Sequence, residues 1–225
     1  MEGAGICKKN FVNISHLPTI ALLLGYVAYW LELYFLSPAS GKTSALAPVA
    51  FTAVAIIFIA IQRRHIFSFF GTFKKAWVNQ DKFIKLCIFL SIILILSIGA
   101  IALYAALLPP HLSQEFDALN YHLTVPRQHL IVNSFKHIRW SSADLFPLPI
   151  DFALAPYWFV TELPNKLPQF FFLLGLAAMV ASLINQLSKR NFLSICLGVF
   201  AIFGSHFIGI QMGTAMLDIV LCYLF

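Results

Sequence analysis

The chain has 225 residues, of which 60% are hydrophobic and 11% charged, with a net charge of +6 and a mean hydropathy of +0.84. A soluble domain carries about a quarter charged residues, so this composition excludes an ordinary soluble globule and points to an integral membrane protein. Backbone polar groups in lipid must bond internally, and weak period-2 alternation argues against a barrel, which leaves helices.

A spanning helix needs about 20 mostly apolar residues, because a rise of about 1.5 Å per residue must cross roughly 30 Å. Five segments meet this: Thr19–Ser37, Ala45–Ile61, Leu86–Leu108, Gln169–Leu187 and Phe192–Ile210, the second being short. The first is too long for a signal peptide's apolar region and carries Glu32, so it reads as an uncleaved anchor. A sixth apolar stretch begins near Met212 and reaches Phe225. Its length of about 14 residues, roughly 21 Å, is too short to cross. The expected fold is an all-α bundle of about six transmembrane helices, the last truncated, with a long outer loop carrying short amphipathic interfacial helices. The chain then reads as the N-terminal piece of a longer protein, or as a truncated gene product.

Basic residues set the expected orientation. The N-terminus with Lys8 and Lys9, the segment with Arg63, Arg64, Lys74, Lys75, Lys82 and Lys85, and the turn with Lys189 and Arg190 hold ten of the fifteen Lys and Arg residues. The positive-inside rule makes these regions cytoplasmic. The charge therefore needs no nucleic-acid partner. Residues 1–85 form two N-terminal spans and a basic cytoplasmic loop, and residues 86–225 form a partial transmembrane module with an outer loop over 109–168. That loop holds five of the nine acids and eight of the eleven prolines, and a connection this long is usually functional.

Within the loop, "FDALNYHL" (116–123) concentrates Asp117, Asn120, Tyr121 and His122. As a helix it would align Asp117, Tyr121 and Thr124 on one face and Phe116, Leu119 and Leu123 on the other, until Pro126 interrupts it. An ordinary interfacial helix with a solvated polar side fits the same pattern. Further on, Pro147, Pro149 and Pro156 are expected to break regular structure. Arg127, Lys136, Arg139 and Lys166 are cations where the positive-inside rule disfavours them, which suggests an anionic ligand such as a phosphate; contact with lipid head groups is the alternative. Asp218, in "GTAMLDIVLCYLF", is a carboxylate at helix depth, which costs roughly 2.5–3.5 kcal/mol on insertion scales and usually faces a bundle interior or a water-filled cavity. Glu32, beside Tyr29, Trp30 and Tyr34, reads as an aromatic-belt residue snorkelling to the interface. The four cysteines are scattered without CxxC or Cys/His spacing, and the histidines at 111, 122, 129 and 137 fix no ligand set, so no metal site and no disulfide is read.

The order of these motifs resembles the GT-C superfamily of polytopic glycosyltransferases: a spanning helix, then "FDALNYHLTVPRQHL", then "LFPLPIDFALAPYWF", then a helix with "GTAMLDIVLCYLF". The nearest likeness is to the RgtA/B/C/D-like group, kin to protein O-mannosyltransferases and the lipid A aminoarabinose transferase. Asp117, Tyr121, His122 and Pro126 match the start of that group's first long outer loop. Asp151 with Pro147 or Pro149 resembles a later acid in it, and Asp218 resembles an acid just inside a following helix. Two extra spans precede the loop here, a departure from the group. The resemblance implies transfer of a sugar from a polyprenyl-phosphate donor to a hydroxyl of a lipid, glycan or protein acceptor, at the outer face of a bacterial inner membrane. It gives Asp117 the role of base and Asp218 that of a second acid shaping the site. Tyr121, His122 and Asp151 would contact substrate, and Arg127 or Arg139 the phosphate. No cofactor is fixed, and a divalent cation is compatible with the carboxylates. Two other readings stand beside this one: a transporter or channel subunit with Glu32 and Asp218 as pathway acids, and a non-catalytic membrane fragment.

Overall fold

The computed structural model describes residues 16–36, 47–57, 60–61, 77–78, 80–110, 115–135, 149–159, 165–188, 192–205, 208 and 218–224. Among these there is no strand. The helices are α1 (Leu17–Leu31), α2 (Ala47–Ile57), α3 (Lys82–Leu107), α4 (Thr124–Val132), α5 (Pro149–Trp158), α6 (Leu167–Leu187), α7 (Phe192–Phe203) and α8 (Asp218–Leu224). A π-turn, Glu32–Leu36, extends α1, and a second, Ala118–His122, precedes α4.

Three helical segments are long and apolar enough to cross a membrane: Leu17–Phe35, Lys82–Leu107 and Leu167–Leu187. They coincide with the first, third and fourth segments expected from the sequence. The second and fifth expected spans are represented by shorter apolar helices, Ala47–Ile57 and Phe192–Phe203. The basic segments at 8–9, 62–76 and 189–190 lie outside the described residues.

Helix starts and stops follow local chemistry. Pro18 and Pro168 occupy the first turns of α1 and α6, where a missing N–H costs nothing. The Asn165 side-chain oxygen accepts from Leu167 N at 3.2 Å, while its amide donates to Tyr157 O and Trp158 O at 2.9 and 3.0 Å. One side chain thus opens α6 and ties it to the end of α5. Helix α4 stops at Asn133, whose φ of 48° is the left-handed conformation that ends helices.

Helix α5 is the keystone of the packing. Asp151, Phe152, Ala153, Leu154, Ala155, Pro156 and Trp158 are all buried, and a helix apolar on nearly every side belongs in a core. It lies against α1, where Gly25 brings the two backbones together: a Cβ there would sit 1.9 Å from Ala153 O. Small residues permit such close helix contacts. The Tyr157 hydroxyl donates to Ala21 O at 2.8 Å, and Tyr29 packs its ring 5.0 Å from that of Phe152. Helix α6 joins this core through Phe172 and Leu173, and α8 through Ile219, Val220 and Tyr223. Tyr223 stands 5.4 Å from the Phe172 ring and shares a 2.9 Å hydrogen bond with Thr19. Helix α3 instead leaves Phe89, Leu96, Ile101 and Tyr104 exposed, a surface suited to hydrocarbon rather than water.

Three local expectations are corrected. Pro126 does not interrupt a helix; it sits in the first turn of α4, where no N–H partner is required. Pro149 opens α5 and Pro156 lies inside it, so this segment is helical despite its prolines. Glu32 does not snorkel. It is 2% exposed, held in the π-turn beside the buried Leu33.

Candidate functional site

The site is built on the segment 115–132. Leu119 N donates to Glu115 O at 3.0 Å, an α-type bond, and the next ladder step widens, with Leu123 N donating to Ala118 O at 2.9 Å. This i→i+5 turn is the π-turn, a feature frequent at functional sites. The Thr124 hydroxyl donates to Leu119 O, supporting the widened backbone from the side. Because the turn is wide, Asp117 and Tyr121 stay half-exposed while His122, Leu123, Pro126 and His129 turn inward.

His122 faces α5. Its Nδ1 donates to Asp151 Oδ1 at 2.8 Å, with the two residues 5% and 6% exposed. Burial raises the Asp151 carboxyl above the usual carboxylate range, and the hydrogen bond and charge of His122 pull it partly back. Tyr121 lies against the imidazole, ring centroids 4.2 Å apart at 49°. Its phenol is pushed above its ordinary value, first by burial and then by the charges of Asp117, Asp151 and Asp218. Three aspartates separated by up to a hundred residues therefore come within electrostatic reach of one phenol. Tyr121 stays protonated through the ordinary pH range and can donate a hydrogen bond, whereas the aspartates and His122 can accept protons.

The other expected residues fall differently. Arg127 is exposed, its guanidinium 5.8 Å from the centre of the Phe159 ring. With Leu119, Leu123, Thr124, Gln128 and Ile131 it borders a hollow of about 200 Å³, which neither His122 nor Tyr121 lines. Arg139, Lys136, Asp144 and Pro147 lie outside the described residues, as do His111 and His137. Lys166 is not a free cation awaiting a phosphate. It is 5% exposed, and its Nζ stands 3.4 Å from Oε2 of Glu115, itself 2% exposed. The pair joins the two ends of the long connection between α3 and α6, and Lys166 N adds a bond to Ala106 O at 3.1 Å. No spacing in the sequence announces a pair 51 residues apart. His129, which the sequence leaves beside Pro126 without a role, is buried between Phe135 and Phe152, at 4.5 and 6.0 Å.

A larger apolar crevice of about 470 Å³ opens between α1, α2, α5 and α6, lined among others by Ala21, Phe51, Leu154, Phe171 and Phe172. Leu154 is one turn beyond Asp151 on α5. Among the described residues, no group of three or more His, Cys, Asp and Glu side chains is placed to hold a metal ion. No family model, curated protein or solved structure matches this chain.

Proposed function

We propose that the chain belongs to a membrane glycosyltransferase that moves a sugar from a polyprenyl-phosphate donor to an acceptor hydroxyl. In this reading six apolar segments cross or enter a bacterial inner membrane, the N-terminus is cytoplasmic, and the site lies at the extracytoplasmic face. The observation that carries the reading is that Asp117, Asp151 and Asp218 all act electrostatically on Tyr121. It joins the three stretches in which the sequence resembles such enzymes.

The chemistry asks little beyond this cluster. As the acceptor oxygen bonds to the anomeric carbon, the bond from that carbon to the phosphate oxygen breaks. The hydroxyl proton passes to a base, and polyprenyl phosphate leaves as a weakly basic anion that needs no proton. General-base help is worth about 10²–10⁴ in rate. The protonated Tyr121 phenol donates to a sugar or phosphate oxygen, and the remaining carboxylates accept from sugar hydroxyls. Arg127 and Arg139 are the cations available for the phosphate. The apolar crevice beside α5 suits part of the donor's hydrocarbon chain, consistent with a lipid arriving laterally from the bilayer.

The test uses the full-length protein in membranes with a radiolabelled polyprenyl-phosphate sugar. Asp117→Asn and Asp218→Asn each lower transfer while insertion is unchanged; full transfer by both variants refutes the reading. For the orientation, a cysteine at position 144 is labelled by an impermeant thiol reagent in intact cells and one at position 79 is not. The reverse pattern overturns the topology.

A further inference from the structure

We infer that the proton acceptor of this site is His122, with Asp151 as its positioning residue, in place of the Asp117 that the sequence resemblance suggests. The inference rests on the transferase reading above and assigns the proton within it. A side-chain base works best when it is buried in a fixed position and oriented by a hydrogen-bond partner. Asp117 meets neither condition. It is half-exposed and makes no side-chain hydrogen bond among the described residues.

His122 meets both. The 2.8 Å bond from Nδ1 to Asp151 fixes the ring's orientation and the tautomer, leaving Nε2 as the basic nitrogen. The carboxylate behind it then stabilises the imidazolium formed on accepting a proton, the arrangement that orients histidine bases generally. Imidazole is the side chain most often used to move a proton from a hydroxyl. The ring also borders the three-aspartate cluster, since Tyr121 lies 4.2 Å from it. The π-turn supplies the geometry by turning His122 inward to α5 while Asp117 and Tyr121 stay at the surface. The charged group on the ring itself is Asp151 from α5, and the adjoining Tyr121 is the group on which Asp117 from the same segment and Asp218 from α8 also act. Arg127, in α4, is turned to Phe159. Protonation of His122 removes the proton acceptor, so activity is lost on the acid side of the profile.

The step balances. The acceptor O–H bond breaks, its electron pair forms the new bond to the anomeric carbon, and the proton goes to Nε2 of His122. The donor C–O bond breaks with its electrons on the phosphate, and the proton later returns to water.

The experiment measures kcat/KM for transfer against pH in the full-length protein for wild type, His122→Gln, Asp151→Asn and Asp117→Asn. His122→Gln is expected to lower kcat by about 10²–10⁴ and to abolish the acid limb of the profile. Asp151→Asn shifts that limb to lower pH, because the imidazolium loses its counter-charge. Asp117→Asn lowers the rate but keeps the limb. Nitrogen-15 NMR of the labelled protein gives a reading independent of activity: His122 is protonated on Nδ1 in wild type, and its ionisation moves to lower pH in Asp151→Asn. A limb that survives in His122→Gln but vanishes in Asp117→Asn overturns the inference and leaves the transferase intact. An Nε2-protonated His122 overturns it as well. If wild type transfers no sugar, the functional reading itself fails, and the NMR result still decides whether Asp151 orients His122.

Discussion

Replacing Gly25 by alanine tests how the site is held. Helix α5, which carries Asp151 to His122, lies against α1 at backbone contact, and that contact depends on the absence of a side chain at position 25. An alanine Cβ would stand 1.9 Å from Ala153 O and 2.7 Å from the Tyr157 ring, so α5 must retreat by about 1.5 Å to reach an ordinary 3.4 Å contact. A backbone carbonyl cannot swing aside as a side-chain tip can. Overpacking typically costs about 1–3 kcal/mol, and this position belongs at the upper end. Gly99 in α3 is the internal control, since its nearest neighbour to a new Cβ is Phe203 Cε1 at 3.6 Å. Both changes gain the same helix propensity, about 1 kcal/mol, which cancels in the comparison. Thermal unfolding followed by circular dichroism in detergent micelles should place Gly25→Ala below Gly99→Ala by roughly 6–12 °C, taking about 3 kcal/mol and 2–4 °C per kcal/mol for a chain of this size. Equal melting temperatures would refute the packing of α5 on α1, and with it the structural basis of the site.

Three further predictions concern other parts of the structure. Lys166→Met or Glu115→Gln alone removes one charge of a buried ion pair and should cost about 3–5 kcal/mol, whereas the double change Glu115→Leu with Lys166→Met recovers most of that loss; a double variant as unstable as the singles contradicts it. Asp151 has a folded carboxyl raised above its ordinary 3.8, so its contribution to stability is fully present below 3.8 and is lost as pH rises through the folded value. The melting temperature of Asp151→Asn should therefore rise relative to wild type between pH 3.5 and neutrality, ~3.5 lying just below the ordinary aspartate value; a gap moving the other way contradicts the burial argument. A double-mutant cycle with Thr19→Val and Tyr223→Phe should give a coupling of about 0.5–1.5 kcal/mol for their hydrogen bond, and no coupling would place α8 away from α1.

Much of the fold is legible in the sequence because lipid imposes a length and a composition on any helix that crosses it. The runs around Leu17–Phe35, Lys82–Leu107 and Leu167–Leu187 declare themselves in this way. Asp117, Tyr121, His122 and Asp218 stand out because polar groups are costly beside so much hydrocarbon, whereas Asp151 is picked out by the family resemblance alone. What the sequence hides is what depends on partners. A π-turn has no side-chain signature of its own, so the segment 116–125 reads as a regular amphipathic helix, and Phe116, assigned there to the apolar side, is 62% exposed. Pro126 and Pro156 look like interruptions because a proline's effect depends on where its turn begins. Glu32 looks interfacial from its aromatic neighbours, yet the packing of α1 against the core places it inside. Lys166 looks like an unclaimed cation because Glu115, its counter-charge, lies 51 residues away.

The central claim is that positions 121 and 218 meet at one face of the bundle. The direct measurement replaces Cys7, Cys87, Cys196 and Cys222 by serine, introduces Tyr121→Cys and Asp218→Cys, and treats membranes with a short bifunctional thiol reagent. The account predicts efficient intramolecular cross-linking, with both cysteines labelled by an impermeant reagent from the same side. Absent cross-linking, with the two positions labelled from opposite sides of the membrane, would contradict it.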